Sequence, residues 1–283
     1  MSTEDFRFEV VEGWGFGPKG QVMGGVIPGV AVDSKGRVFL GRREPSAILV
    51  YSRQGEYLET WGEKEVANPH LLWIDSQDRV YCASCDNHTV QIFNSAGDLV
   101  ETVGTLGTAG KPGMPFNRPT RAMRAPSGDL FVSDGYGQFR IQRFDADGNF
   151  ILGWGEEGSN FGQFALPHSL WVDRENRVWV MDRENDRIQI FDADGNFLDQ
   201  WKDVIRPMDV FIGSDNIVYL SEACHRISIF TLEGKLLARW GEEGDMPGQF
   251  ASAPHGIWVD SFGDLYVSEV AAISDRVQKF SRI

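Results

Sequence analysis

Apolar residues in this chain fall in short runs separated by S/D-x-G turns, and no stretch sustains a 3.6-residue period. Around residue 170 the runs read LWVD, RVWVM, RIQIF and FLDQW, four strand-like segments in succession. The same frame recurs six times: proline, an apolar run ending near aspartate, a turn, a β-rich run, a polar loop, a third run of the I-x-I-F type, and often L-x-x-WG. The repeats begin at Pro28, Pro69, Pro119, Pro167, Pro207 and Pro254, spaced 41, 50, 48, 40 and 47 residues apart. Four strands in each unit of 40–50 residues predict the blades of a β-propeller.

The sixth repeat stops at Ile283 after its third strand, and a segment of the missing type, FEVVEGWG, stands at residues 8–15. A closed ring needs that exchange, because an open one leaves two unpaired sheet edges. The expected fold is all-β, a single six-bladed β-propeller domain over 1–283. Its blades are expected near 28–62, 68–104, 117–155, 166–201, 205–241 and 253–283, the last completed by 6–15. Trp14, Trp61, Trp154, Trp201 and Trp240 recur at the fourth-strand position, where packing between blades is expected.

Composition narrows the function. With 42% hydrophobic residues and 12% aromatics over 283 residues, the chain can bury a large core. It carries 41 acidic against 27 basic residues, a formal charge of −14, which disfavours nucleic acid and anionic membrane surfaces as partners. Cys82, Cys85 and Cys224 form no disulfide framework and are read as unpaired thiols. The first residues, MSTEDFRFEV, have neither a basic nor an apolar signal region, so a cytoplasmic protein is expected.

Three of the five histidines follow proline in one phrase: NPHLLWID, LPHSLWVD and APHGIWVD. His70, His168 and His255 thus share a frame position in the second, fourth and sixth repeats, where the others have Gly29, Thr120 and Met208. In a propeller the first strands line the central channel, so alternate blades would aim three imidazoles at one axis. Three nitrogen ligands with one open face suit a catalytic zinc, ahead of iron, cobalt or manganese. The alternative is three channel histidines bonded to water. His88 and His225 are read as loop residues at the surface or behind the site.

The loops after the second strands offer further chemistry. Arg43 and Arg183 share a frame position there, and Tyr136 lies in the third repeat's loop, SDGYGQFR. Two arginines could clamp a carboxylate, and a phenol beside a dication and guanidinium groups could act as a base. Against this, Arg183 could pair with Glu184 or Asp186, and Tyr136 could be a packed turn aromatic.

SDGYGQFRIQRF, QFALPHSLWV followed by MDRENDRIQIF, and the PHLLWID and PHGIWVD phrases resemble peptidyl-α-hydroxyglycine α-amidating lyase, a six-bladed propeller of NHL-type repeats. The resemblance runs from about residue 28 to 280. It implies zinc held by His70, His168 and His255, the DGY tyrosine at Tyr136, and arginines at Arg183 and Arg43, with Arg42 adjacent as a further substrate-binding candidate. It also implies a disulfide-forming cysteine where Gly137 stands. The family's calcium-binding aspartate falls on Gly256, which leaves a structural calcium in doubt although the carbonyls of Val30 and Leu72 match other ligands.

The expected activity is zinc-dependent cleavage of an N-acyl α-hydroxyglycine, R–CO–NH–CH(OH)–COOH, to an amide and glyoxylate. Tyr136 would be the base, and Arg43 and Arg183 would hold the carboxylate. The substrate, a small-molecule or peptide carbinolamide, is then the partner. Two alternatives stay open: a zinc-dependent hydrolase of a lactone or amide at the same three histidines, and a non-catalytic NHL scaffold that binds protein.

Overall fold

The aspartate that ends each opening run builds the first turn of its repeat. Asp33 Oδ1 accepts the backbone N–H groups of Lys35 and Arg37 at 3.0 and 2.7 Å, and Oδ2 accepts Arg37 Nε at 2.7 Å. Asp75 with Arg79 and Asp173 with Arg177 repeat the arrangement. A carboxylate that satisfies two turn amides reverses the chain within a few residues and launches the second strand antiparallel to the first.

The computed structural model describes residues 6–15, 23–111, 115–270 and 276–283. The repeats form six four-stranded antiparallel sheets, each ordered first to fourth strand, and the fold is a six-bladed β-propeller. Among the described residues the only helical element is a 3₁₀ turn, Arg183–Asn185. Blade 6 takes its first three strands from Ala253–Val259, Leu265–Val270 and Val277–Arg282. Its fourth is Phe8–Val10, paired Phe8↔Arg282 and Val10↔Phe280 as expected.

The chain sorts into two compact units, residues 1–63 with 208–283, and residues 64–207. The second unit holds blades 2, 3 and 4, and there the first strand of blade 3 (Arg121–Arg124) packs between those of blades 2 (Pro69–Ile74) and 4 (Pro167–Val172). In the first unit the opening strand of blade 6 packs on that of blade 1, Gly29–Val32, and on the second strand of blade 5, Ile217–Glu222.

In blade 4 the first three strands are buried throughout, and only the fourth, Phe197–Trp201, carries exposed positions. Strands covered on both faces read as continuous apolar runs, which is how these stretches appear in the sequence. Trp154 packs on Phe191 of the next blade, Trp240 on Phe8 and Phe280, and Trp14 on Tyr51, as expected of inter-blade residues. Rings within the blade are met as well: Trp61 meets Phe39, Trp154 meets Phe131 and Trp201 meets Trp179. Trp14 lies in a turn beyond the fourth strand rather than within it.

A second signature closes the other end of blades 4, 5 and 6. Carboxylates ending three second strands pair with arginines opening the third: Asp182 with Arg187 (2.8 Å), Glu222 with Arg226 (3.0 Å) and Glu269 with Arg276 (2.6 Å). Asp134 holds the same position in blade 3 with different partners.

Candidate metal and catalytic site

The three Pro-His phrases share a backbone feature. In blade 2 the pairing runs Pro69↔Ser84 and then Leu72↔Cys82; in blade 4 it steps from Pro167↔Asp182 to Ser169↔Met181. In blade 6 it steps from Pro254↔Glu269 to Ile257↔Val267. Each step leaves one extra residue on the first strand, a β-bulge at the histidine. The first strands of blades 1 and 3 pair without a shift. Bulges re-aim side chains and are common beside active sites.

His70 and His168 belong to one compact unit and come together there. Their rings are 4.8 Å apart, crossed at 74°, and both are fully buried. Tyr136 Oη lies 3.0 Å from His70 Nε2 and 3.4 Å from His168 Nε2. His70 Nδ1 lies 2.7 Å from the Thr120 carbonyl, to which it donates its proton. That tautomer leaves Nε2 with its lone pair directed at the phenol.

Thr120 ties the two histidines together. Its carbonyl holds His70, and its hydroxyl lies 3.1 Å from the carbonyl oxygen of Pro167, the residue before His168, and equally from that of Ser133. The sequence marks Thr120 only as the position in blade 3 where histidine is missing.

His255 sits in the other unit with the same chemistry. It is buried, and its Nδ1 donates to the Pro28 carbonyl at 2.7 Å, again leaving Nε2 as the lone-pair nitrogen. His70, His168 and His255 are a buried group that could hold a metal ion. The donor set fits: neutral imidazoles, with carbonyls behind His70 and His255 fixing the tautomer that a divalent cation needs. At Gly256 a Cβ would lie 2.8 Å from the Pro28 carbonyl oxygen and 3.0 Å from Val30 N, so the backbone is closely packed where the resemblance places a calcium-binding aspartate.

Two glycines set the position of Tyr136. A Cβ on Gly135 would lie 2.2 Å from the Pro167 carbonyl oxygen, and one on Gly137 would lie 2.3 Å from the Asn117 carbonyl oxygen. The cysteine that the resemblance implies at 137 would therefore need the backbone to move. Gly135→Ala must push the tyrosine loop away from the strand that carries His168. We expect a loss of about 1–3 kcal/mol in stability, the usual cost of overpacking, together with weaker metal retention. Denaturant midpoints and metal analysis on one preparation check this.

The arginines follow their strands as the frame predicts, Arg43 after Val38–Arg42 and Arg183 after Val178–Asp182. Among the described residues the buried Arg43 Nε has no hydrogen-bond partner, a donor left without an acceptor. Arg42 is engaged locally, donating to the carbonyls of Pro45 (2.9 Å) and Met23 (3.4 Å). Arg183 Nε donates to Glu184 at 2.7 Å, the local pairing that the sequence offered as the alternative. Burial pushes the Glu184 carboxyl up, but Arg183 and Arg206 outweigh it and hold the group below its ordinary range.

Arg118, which sequence reasoning passed over, places its guanidinium 5.8 Å from the Tyr136 ring centroid and pairs with Asp86 at 3.1 Å. His88 Nδ1 accepts the Arg118 amide at 3.2 Å, and His225 Nδ1 donates to the Phe250 carbonyl at 2.9 Å, so both occupy turns as expected. All three cysteines are free thiols.

Fold and site together define a six-bladed β-propeller with a buried histidine group beside a tyrosine. Its relatives include NHL repeat proteins and peptidyl-α-hydroxyglycine α-amidating lyases, as the sequence motifs indicated. The chain is 33% identical over 199 residues to human NHL repeat-containing protein 3, covering 65% of this chain and 56% of that protein. It is 32% identical over 158 residues to peptidyl-alpha-hydroxyglycine alpha-amidating lyase 1 of Drosophila melanogaster, covering 51% of this chain and 29% of that protein. In both cases it spans less than two thirds of the relative's length. No protein-family model matches the chain. Among solved structures, a streptogramin B lyase superposes with a TM-score of 0.67 over 99% of both chains at 13% identity, a likeness of fold.

Proposed function

We propose that the protein is a lyase that cleaves the C–N bond of an N-acyl α-hydroxyglycine, releasing an amide and glyoxylate. The observation that carries this reading is Tyr136 Oη within reach of two buried histidine nitrogens of the metal-ligating type, at 3.0 and 3.4 Å. The names of several relatives support it, since they are called amidating lyases.

His70, His168 and His255 would hold a zinc ion, which when bound supplies Lewis-acid stabilisation of negative charge on a substrate oxygen. The chain's own residues do the rest. Tyr136 takes the proton of the substrate hydroxyl at Oη. The carbinol carbon keeps its oxygen as the aldehyde of glyoxylate, the C–N pair leaves with nitrogen, and that nitrogen is protonated to the amide. Arg43, whose buried Nε lacks an acceptor among the described residues, binds the substrate carboxylate, and Arg183 assists from the equivalent loop. The burial of both ligand histidines beside Tyr136 keeps bulk water from the reacting atoms.

Incubating the metal-loaded protein with α-hydroxyhippurate tests the reading. The expected products are benzamide and glyoxylate in equal amounts, without incorporation of oxygen from H₂¹⁸O into a new carboxylate. Label in benzoate would identify a hydrolase instead. No turnover of any α-hydroxyglycine would sink the lyase.

A further inference from the structure

Asp134 stands apart from its counterparts in other blades. Asp182, Glu222 and Glu269 each face an arginine. Asp134 is fully buried and is met by neutral donors: the Asn117 amide at 2.9 Å from each oxygen, Gln138 Nε2 at 2.8 Å and Gln142 Nε2 at 3.0 Å. The nearby Arg140 directs its Nη2 to the Gly153 carbonyl at 2.9 Å. Burial accordingly pushes the Asp134 carboxyl up to about 7, against the pull of its donors and of Arg140. A buried carboxylate without a paired cation costs stability, and such sites concentrate where function requires them.

These contacts enclose Tyr136. Asp134 opens the loop, Gln138 closes it, and Asn117 lies against Gly137 on the far side. We infer that Asp134 is a positioning residue for Tyr136, its carboxylate fastening both ends of the DGYGQ loop and the Asn117 segment by hydrogen bonds in place of a disulfide. This rests on the lyase reading for its consequence in turnover, though not for its structural content.

Asp134→Asn keeps the shape and removes the charge. The neutral side chain is readily accommodated, because the Oε1 atoms of Gln138 and Gln142 are buried without a donor among the described residues and can accept from the new amide. Because burial raises the folded-state value, stability from this group is fully present at low pH and is lost as pH rises through about 7. At pH 8 the variant should therefore melt no lower than the parent. Its kcat should fall at least about tenfold with KM and metal content little changed, as loss of an aligned proton acceptor does. Glu222→Gln, which breaks an arginine pair in a blade without the tyrosine, should instead lower Tm and leave kcat within about twofold.

A parallel loss of Tm and kcat in Asp134→Asn would reduce Asp134 to a structural residue and overturn the inference. If the parent turns over no α-hydroxyglycine, the lyase reading fails separately, and hydrogen exchange decides the inference. The amides of Asn117 and residues 135–138 should then exchange faster in Asp134→Asn while the strands stay protected. Unchanged exchange at those amides would refute it.

Discussion

Tyr136→Phe is expected to lose about 10²–10⁴-fold in kcat, the range contributed by a positioned acid or base, while zinc content and KM stay near those of the parent. The ring lies edge-on to His70, with centroids 5.1 Å apart, and edge-on to His168 at 6.0 Å, so phenylalanine retains the packing that holds the two imidazoles apart. Only the Oη atom disappears. His70 Nε2 loses a donor but remains a lone-pair nitrogen, and its tautomer is still fixed by the Thr120 carbonyl. Steady-state glyoxylate release measured beside metal analysis separates the two effects. Equal loss of metal and rate would mean that Tyr136 supports the site rather than acting in it.

His70→Ala is expected to abolish both. The imidazole is buried, one nitrogen is bonded to a carbonyl and the other faces Tyr136, so truncation removes a ligand and leaves the Thr120 carbonyl short of a donor. Leu71 N still donates to that carbonyl at 3.2 Å, which limits the structural cost to about 1–3 kcal/mol. The folded variant should retain no zinc after dialysis, and its rate should not rise when metal is restored at micromolar concentration. Retention of stoichiometric zinc would show that the ion, if bound, sits elsewhere. The two variants thus differ in kind: one empties the site, the other silences it.

Much of the architecture is legible because the repeat writes its turn chemistry in every copy. The turn expected after the aspartate of each opening run is built by that aspartate, and Asp33, Asp75 and Asp173 each bond an arginine four residues on. The own-blade contacts of Trp61, Trp154 and Trp201 were not legible. A fourth-strand aromatic can turn toward either the next blade or its own, and periodicity does not distinguish the two. The histidines were legible through proline and repeat position, but the bulge that aims them has no sequence signature beyond Pro-His. Thr120 acts through its main-chain oxygen and a common hydroxyl, neither of which stands out in a string of letters. Asp134 looks like its counterparts, with Arg140 opposite it, until that arginine is found turned to the Gly153 carbonyl and the carboxylate left to glutamines and a backbone amide.

The bulges carry a consequence for how such a centre can arise or vanish. Because each imidazole is presented by a single surplus residue at the start of a strand, deleting that residue would restore ordinary pairing and swing the side chain away. The later three strands of that blade would keep their register. Gain or loss of a ligand is therefore uncoupled from the integrity of the scaffold, so a metal centre on this architecture can be retired or rebuilt one codon at a time.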